Sequence, residues 1–408
     1  MFLTARRSSK AQKISMPASL PSLPDHPVYD IAIIGGGIAG AGIALEASRK
    51  NLKVILFEKS TFGSGTSSKS SKLIHGGLRY LETAWSALLK LNLFEFWKNL
   101  RFVFLALHET HILARAWPDL IHDIELFMPI YKNQGRSRFA VFFGTWIYGF
   151  LSLLGGGKHK TRILGSAEAA LKMEPSLAKE GLIGAVLVWD HTTDDLALVR
   201  RIIQTAQSLG AQALEHSPVT NYLYDSVKKI FAVKVSGTVY YAKHIINAGG
   251  AWADQIRSSA THEPSEMILP VAGAHIQAPI FSQNSCILQA PDNRIFFIIN
   301  REGQARIGTT ERIEKNPDHV AATEKEVDYL LAGVRTFFPD TAPSKEKIIS
   351  TDAGIRPLAK PARTTAPEKI SREHEFIKDK NGAIHVLGVK LTDHRRAARE
   401  LLKRYFSV

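Results

Sequence analysis

The chain has 408 residues, of which 45% are hydrophobic and 22% charged, proportions typical of a folded globular protein. Its 52 Lys and Arg against 38 Asp and Glu give a net charge of +14, which favours anionic partners such as a phosphorylated small molecule or an anionic membrane surface. No nucleic-acid-binding motif accompanies this charge, so a nucleic-acid partner is not expected. The single cysteine, Cys286, excludes an intramolecular disulfide.

The first 27 residues are rich in serine, proline and basic residues, and the first acidic residue is Asp25. Such a leader fits a disordered tail, sequence upstream of a second start at Met16, or an organelle-targeting segment. Composition does not separate these alternatives.

The first regular segment predicts a strand, a turn, a helix and a second strand. The strands are Tyr29–Ile34 and Leu52–Phe57, and the helix between them is Ile38–Lys50. This succession within about 30 residues is typical of a nucleotide-binding βαβ unit. Helical periodicity then extends from about Leu81 to Ala116.

The uncharged run Phe139–Leu154 is shorter than the roughly 20 residues that span a bilayer, so we expect a buried or surface-lying helix. Trp146, Tyr148 and Phe150 would be interfacial residues if this helix lies in the plane of a membrane. The basic residues that follow the run support this contact, namely Lys158, Lys160 and Arg162.

Strands and helices alternate through the rest of the chain, which favours an α/β class. The predicted strands are Ile230–Val235, Lys243–Asn247, His275–Ala278, Ile295–Ile299, Ala305–Gly308 and His385–Leu387. The predicted helices are Leu196–Ser208, Glu324–Phe338 and one that begins at about Thr392.

Gly35, Gly37 and Gly40 form a G-x-G-x-x-G fingerprint directly after the first strand. The first glycine permits a tight turn, the second lets a pyrophosphate approach the backbone, and the third allows close packing of helix on strand. Glu58 ends the second strand and can accept hydrogen bonds from ribose hydroxyls, which disfavours NADP. The fingerprint alone does not separate NAD from FAD.

The segment from Thr66 to Glu82 reads T-S-S-K-S-S-K-L-I-H-G-G-L-R-Y-L-E. It closely resembles the flavin-side loop of the FAD-dependent, respiratory glycerol-3-phosphate dehydrogenase family. Further motifs of that family match in order over roughly residues 28 to 400, at Trp189–Asp190, Asp194–Asp195, Asn247–Trp252, Gly273–His275, Gly308–Glu311, Gly354–Leu358 and Gly388–Thr392.

This resemblance implies the flavoprotein fold related to D-amino-acid oxidase, of α/β (α+β) class. A Rossmann-like FAD-binding domain, in parts of about 28–80, 185–260 and 350–408, is expected to interleave with an antiparallel-sheet substrate domain in parts of about 81–184 and 261–349. Many relatives carry a further C-terminal helical domain, which we expect to be absent from this chain.

The implied activity is FAD-dependent oxidation of sn-glycerol 3-phosphate to dihydroxyacetone phosphate, with electrons passed on to quinone. The implied location is peripheral, on the cytoplasmic side of the inner or cytoplasmic membrane, with a mitochondrial or a soluble cytoplasmic location as alternatives. A homo-oligomer is compatible with the sequence, and no metal is expected.

The resemblance also assigns site residues. Arg79, Arg356 and Lys390 are expected to clamp the substrate phosphate, and Tyr80 to hydrogen-bond the substrate. The base candidates are His75 and His275, of which His275 is favoured. The residues expected to bind the cofactor are Gly35, Gly37, Gly40, Glu58, Thr66, Ser67, Ser68, Ser71, Lys72, His75, Gly76, Gly77, Ala248, Gly249, Trp252, Gly354, Arg356, Gly388, Lys390, Leu391 and Thr392.

Some positions depart from the family pattern. Val389 replaces a glycine beside Lys390, while Ala272 and Ala197 stand where a lysine and an arginine are usual. Asp393 and His394 replace a Thr-Tyr pair. These departures keep two alternatives open, a related FAD oxidase or dehydrogenase of another hydroxy or amino acid, and a catalytically impaired flavoprotein.

Overall fold

The computed structural model describes residues 27–132, 138–158, 161–360 and 373–406, and it describes the backbone alone for Leu78, Arg79, Glu82 and residues 138–140. The predicted tail, residues 1–27, therefore lies outside the described residues except for Pro27.

The helices of the described residues are α1 (Ile38–Ser48), α2 (Leu78–Leu89), α3 (Leu93–Ala116), α4 (Arg138–Leu154), α5 (Ala167–Met173), α6 (Asp195–Ser208), α7 (Ala253–Thr261), α8 (Glu324–Phe337) and α9 (His394–Phe406). The strands are β1 (Val28–Ile34), β2 (Val54–Phe57), β3 (Leu73–Ile74), β4 (Ile121–Tyr131), β5 (Arg162–Leu164), β6 (Leu182–Thr193), β7 (Gln212–Leu214), β8 (Val219–Asp225), β9 (Ile230–Val235), β10 (Thr238–Asn247), β11 (Ile268–Pro279), β12 (Ser285–Gln289), β13 (Ile295–Arg301), β14 (Gln304–Gly308), β15 (Arg312–Ile313), β16 (Ser350–Ala359), β17 (Glu375–Lys378) and β18 (Ile384–Leu387).

The first sheet has a parallel centre in the order β18-β10-β1-β2-β7, with β17 antiparallel at one edge. The strands β8 and β9 extend it from β10 as antiparallel neighbours. The helices α1, α6 and α9 cover one face, where apolar residues such as Ile43, Ile202 and Leu401 are fully buried. This Rossmann-like arrangement confirms the predicted nucleotide-binding unit.

The second sheet runs β15-β11-β14-β13-β12-β4-β6-β3, with β16 beside β11 and β5 beside β6. Its described pairs are antiparallel except β12 with β4. The helices α5 and α8 pack on it around Phe296 and Phe337. Because the chain passes repeatedly between the two sheets, the predicted class of a Rossmann-like unit interleaved with an antiparallel-sheet unit is confirmed.

The sheets divide the chain differently from the predicted parts at three places. Strand β3 lies within the part of about 28–80, β6 begins just before the part of about 185–260, and β16 begins the part of about 350–408, yet all three strands belong to the second sheet. Residues in β16, Arg356 among them, therefore reach the site from the antiparallel sheet. The domain bounds themselves stay a prediction.

Helices α2, α3 and α4 pack together beside the second sheet, with Leu81, Val103, Leu107 and Tyr148 at their centre. Within the described chain, no helix is both long and apolar enough to cross a bilayer, and α4 has 17 residues. Trp146 and Phe150 are 56% and 49% exposed, as an interfacial role requires. The expected interfacial role of Tyr148 is wrong, because its side chain points inward and is 1% exposed.

Candidate active site

A cavity of about 1550 Å³ lies between the carboxyl ends of β1, β2 and β10 and the second sheet. Small-molecule sites typically enclose roughly 300–1,000 Å³, so this one can hold a large cofactor together with a substrate. Parallel strands place the following loops at one edge, where the glycine turn after β1 and the acidic end of β2 meet.

The glycine turn has no room for side chains. Gly35 has φ +107°, and a Cβ there would lie 2.5 Å from the carbonyl oxygen of Ala248. A Cβ on Gly40 would lie 1.9 Å from the carbonyl oxygen of Gly35, so only glycine lets α1 approach the turn this closely. Gly37 caps α1 and lines the cavity, which presents the positive end of the helix dipole to the site.

Glu58 lines the cavity at the end of β2. Its two carboxylate oxygens accept backbone hydrogen bonds from Gly36 (2.8 Å) and Ser60 (2.9 Å). These bonds orient the carboxylate, and each oxygen keeps a second lone pair for a ribose hydroxyl. The geometry thus matches the nucleotide-binding role expected from the sequence.

The serine-rich loop of residues 66–72 has one side at the cavity and one side away from it. Thr66, Ser67 and Ser71 line the cavity, and the Ser67 hydroxyl accepts the first backbone N–H of α1 at 2.9 Å, from Ile38. On the other side, the Lys72 ammonium donates to Asp195 at 2.6 Å, a carboxylate that is fully buried. This lysine therefore anchors the loop rather than facing the site.

The loop His75–Gly77 lies beside the cavity and continues into α2. The His75 backbone N–H donates to the hydroxyl of Thr392 at 3.2 Å, and Nδ1 of His75 accepts from the Gly77 N–H at 3.1 Å. The loop is thus held by the segment that precedes α9. The imidazole of His75 lies half-buried in the cavity wall, with its centroid 6.3 Å from that of Phe297.

His275 lies on β11 and is 3% exposed. Its Nε2 is 2.9 Å from the Ser71 hydroxyl, and its Nδ1 is 3.9 Å from a carboxylate oxygen of Asp352 on β16. Burial, together with the charges of Arg306, Arg356 and Lys72, holds the pKa of this imidazole well below its usual range. The ring is therefore neutral at pH 7 and can accept a hydrogen bond from the serine.

Cationic groups approach the cavity from two further elements. The Arg356 guanidinium donates to the Thr309 hydroxyl at 2.9 Å and lies 3.9 Å from a carboxylate oxygen of Glu311. The Lys390 ammonium donates to the Tyr80 hydroxyl at 3.1 Å. These groups line the same cavity and carry the charge that a phosphate dianion requires.

The cavity brings together most of the residues that the sequence singled out. Those that line it are Gly35, Gly37, Glu58, Thr66, Ser67, Ser71, His75, Gly77, Tyr80, Ala248, Gly249, Trp252, His275, Gly354, Arg356, Gly388, Lys390, Leu391 and Thr392. Four others lie behind the wall, namely Gly40, Ser68, Lys72 and Gly76. The side chain of Arg79 lies outside the described part of the chain, so its role stays a prediction.

The departures from the family pattern differ in position. Val389 lies beside the cavity and packs against the core of the first sheet, whereas Ala272 is fully buried among Ala251 and Ile355. Ala197 donates its backbone N–H to Asp194 at the start of α6 and does not line the cavity. Neither Ala272 nor Ala197 lines the cavity, so the absence of a cation at these two positions removes no charge from the cavity wall.

Sequence reasoning missed two groups near the site. Asp190 lines the cavity from β6, and its carboxylate accepts a hydrogen bond from the hydroxyl of Tyr148 at 2.8 Å. The Trp189–Asp190 motif marked the position but not its partner, because Tyr148 lies 42 residues away and was expected at a membrane surface. On β11, Gly273 leaves the space that the Arg356 guanidinium occupies, 2.6 Å from where its Cβ would stand.

Comparison with known proteins agrees with this site. The FAD dependent oxidoreductase family model matches residues 30–389. The aerobic glycerol-3-phosphate dehydrogenases of Staphylococcus haemolyticus (strain JCSC1435) and Bacillus subtilis (strain 168) are 33% and 32% identical to the chain, and each alignment covers 92% of this chain and 66% of the relative. The chain thus spans about two thirds of the length of these relatives.

Solved structures show the same fold. The glycerol-3-phosphate dehydrogenase from Bacillus halodurans, complexed with FAD, has a TM-score of 0.68 at 26% identity and matches 93% of this chain and 64% of its own. The FAD-bound L-alpha-glycerophosphate oxidase from Mycoplasma pneumoniae has a TM-score of 0.69 at 18% identity, over 92% of this chain and 94% of its own. The expected family resemblance is confirmed.

The residues of the site fit a flavin dinucleotide. The glycine turn brings the backbone of Gly35 and Gly37 to the cavity wall, the N-terminus of α1 opens onto the cavity, and Glu58, whose carboxylate can accept hydrogen bonds from a ribose, lines it. The cavity also extends from this turn to Lys390 and Thr392, well beyond the nucleotide end. The chain therefore belongs to the FAD dependent oxidoreductase family, and FAD is its cofactor.

Proposed function

We propose that the chain oxidises sn-glycerol 3-phosphate to dihydroxyacetone phosphate and passes the electrons to a quinone. The observation that carries this proposal is that Arg356, Lys390 and a neutral His275 line the cavity that holds the dinucleotide fingerprint. A secondary alcohol next to a phosphate needs these groups, a cationic clamp and a proton acceptor. The relatives named glycerol-3-phosphate dehydrogenase support the same substrate.

In this proposal, Arg356 and Lys390 bind the phosphate dianion, with Arg79 as a further predicted cation. Tyr80 orients Lys390 and Thr309 orients Arg356 through the hydrogen bonds already described. When bound, FAD supplies the two-electron acceptor for the hydride that leaves C2. Fixing the phosphate in this way places the alcohol carbon at a defined distance from the acceptor.

His275 accepts the proton of the C2 hydroxyl in this scheme, either directly or through the Ser71 hydroxyl that bonds its Nε2. Its pKa is low without substrate because burial disfavours the protonated ring and because the charges of Arg306, Arg356 and Lys72 repel it. A phosphate dianion bound at Arg356 offsets that repulsion, so substrate binding raises the basicity of His275. His75 is the competing base, and its Nδ1 is occupied by the Gly77 N–H.

The test is anaerobic reduction of the purified, FAD-loaded protein by sn-glycerol 3-phosphate. Bleaching of the flavin absorption is expected, with sn-glycerol 1-phosphate, lactate and glycine as controls that leave the flavin oxidised. Bound flavin that sn-glycerol 3-phosphate does not reduce contradicts the proposal, and reduction by glycine or lactate instead indicates another hydroxy or amino acid substrate. Reoxidation by a soluble quinone analogue, compared with O2, then separates a dehydrogenase from an oxidase.

We assign the membrane contact, through which quinone would be reached, to an apolar surface on helices α2, α3 and α4. Exposed side chains at the α2–α3 turn, Leu89 to Trp97, continue across a contact between Trp85 and Phe143 to the outer face of α4. The exposed apolar members of this surface are Leu89, Leu91, Leu93, Phe94, Trp97, Phe143, Trp146, Phe150 and Leu154. Lys90, Lys98, Arg101 and Lys158 are exposed around it, which suits an anionic membrane.

Co-sedimentation with vesicles of anionic phospholipid tests this contact. The double variant Trp146→Ala/Phe150→Ala is expected to bind about tenfold or more weakly, because each aromatic ring loses apolar area that the membrane buries. The control Leu209→Ala removes an apolar side chain, 49% exposed, at the end of α6 and keeps full binding. The assignment is contradicted if wild type and the double variant bind equally. It is also contradicted if the protein binds neutral vesicles and salt does not weaken that binding.

A further inference from the structure

Two buried side chains behind the loop His75–Gly77 meet a backbone N–H of that loop, and the oxidation described above does not use these three groups. Asp190 comes from β6 and Tyr148 from α4, and their side chains are 4% and 1% exposed. The Tyr148 hydroxyl lies 2.8 Å from both carboxylate oxygens of Asp190. The third group is the backbone N–H of Gly76, which donates to the Tyr148 oxygen at 2.9 Å and lies 3.3 Å from Asp190 Oδ1.

The loop fits against these groups without spare room. A Cβ on Gly76 would lie 2.4 Å from Leu107 of α3 and 2.8 Å from the Tyr148 hydroxyl. On the opposite side, the His75 N–H is held by Thr392. The backbone of the loop is therefore clamped between the segment before α9 and the Tyr148–Asp190 pair.

We propose that Tyr148 and Asp190 are positioning residues for the oxidation, which hold the His75–Gly77 backbone against the end of the cavity that Lys390 and Thr392 line. The proposal rests on the proposed function for its substrate. A buried tyrosine hydroxyl can donate one proton and accept at its oxygen, and here it does both, to the Asp190 carboxylate and from the Gly76 N–H. Without the Tyr148 hydroxyl, the Gly76 N–H keeps only its longer contact to Asp190 Oδ1, and without the Asp190 carboxylate the buried Tyr148 hydroxyl loses its acceptor, so either loss loosens the loop.

The same pair connects the loop with the apolar surface. Helix α4 carries Trp146 and Phe150 on its outer face and Tyr148 on its inner face. The inner face makes the described hydrogen bonds to β6 and to the loop. The loop at this end of the cavity is thus positioned by the helix whose other side is assigned to the membrane.

The experiment compares the FAD-loaded proteins Tyr148→Phe and Asp190→Asn with wild type. Thr145→Val is the matched control, because Thr145 is a buried hydroxyl residue on α4 that donates to its own helix at Val141 O, 2.8 Å away. We expect kcat for sn-glycerol 3-phosphate to fall by about tenfold to a hundredfold in both variants, with KM nearly unchanged, as misplacement of a reacting group predicts. Thr145→Val keeps the kcat of wild type.

A second readout does not depend on the substrate. Reductive titration with dithionite in the presence of redox dyes gives the flavin midpoint potential, and absorption spectra report the flavin environment. We expect both to shift in Tyr148→Phe and Asp190→Asn while the FAD content stays stoichiometric, and the double variant to match the single variants because the two residues act as one unit.

The outcomes separate this inference from the proposed function. If sn-glycerol 3-phosphate does not reduce the flavin of the wild type, the proposed function is overturned. The spectra and potentials then test the positioning role by themselves. Unchanged spectra and potential in both variants overturn the positioning role, as does a kcat loss that Thr145→Val shares. Loss of FAD from both variants also overturns it, because the role assigned here is positioning and not retention of the cofactor.

Discussion

The carboxyl group of Asp190 is buried at a cost that depends on pH. Burial raises its pKa from an ordinary 3.8 to about 7, although the Tyr148 hydroxyl and the Gly76 N–H partly offset that rise. In the folded protein the group keeps its proton up to about pH 7, whereas in the unfolded chain it loses the proton near pH 4. Ionisation of this group therefore costs the folded state nothing below about pH 4. As the pH rises from about 4 to about 7, the free energy of unfolding falls by roughly 4 kcal/mol in all.

Asparagine does not ionise, so Asp190→Asn removes this dependence. Its side-chain amide can leave one N–H unpaired, which costs about 1–3 kcal/mol at every pH. The difference in free energy of unfolding, variant minus wild type, should therefore increase by several kcal/mol between about pH 4 and pH 8 whatever its absolute value. Urea unfolding of the FAD-loaded proteins, followed by tryptophan fluorescence at steps of pH, measures this difference.

The control is Asp340→Asn, which removes an exposed carboxylate in the turn after α8. Its difference from wild type should stay nearly flat over the same pH range. If the Asp190→Asn difference is also flat, the carboxyl group is ionised or protonated equally in both states, and the reasoning from burial is refuted.

Three further substitutions test the site. Gly40→Ala places a Cβ 1.9 Å from the Gly35 carbonyl oxygen and should abolish FAD binding, measured as flavin absorbance after gel filtration, whereas Gly165→Ala, where a Cβ meets nothing within 4 Å, should retain it. His275→Gln should retain the flavin and lower kcat by about 10²–10⁴, and a kcat within twofold of wild type rules this histidine out as the base. Arg356→Lys should raise KM for sn-glycerol 3-phosphate about tenfold or more in steady-state assays, because a lysine does not reproduce the two-pronged contact with phosphate; an unchanged KM contradicts the clamp.

Local sequence was sufficient for the nucleotide end of the site. The turn at Gly35 and the packing at Gly40 follow from backbone conformation and from the absence of a side chain, which are properties of the residues themselves. Strand and helix periodicity likewise predicted β1, α1 and β2 to within a few residues. The family motif around His75 then identified the flavin, which the fingerprint alone could not do.

Other features depend on contacts between distant parts of the chain. The orientation of Tyr148 depends on how α4 packs against β6. The aromatic residues of α4 suited a membrane surface, yet the ring of Tyr148 points inward and its hydroxyl bonds Asp190. The neutral state of His275 depends on burial and on charges from β14 and β16, which the pairing of β11 with both strands brings beside it.

The sequence by itself determined the α/β class and the cofactor turn, because these follow from local conformation and spacing, and its resemblance to the family motifs indicated the types of residue at the site. Only the tertiary structure decided which of those residues face the cavity. Lys72 and Arg356 are both cations within family motifs, yet Lys72 pairs with the buried Asp195 and Arg356 lines the cavity. A buried carboxylate must be paired with a donor or a cation, and which lysine or arginine meets it depends on the packing of elements far apart in the chain.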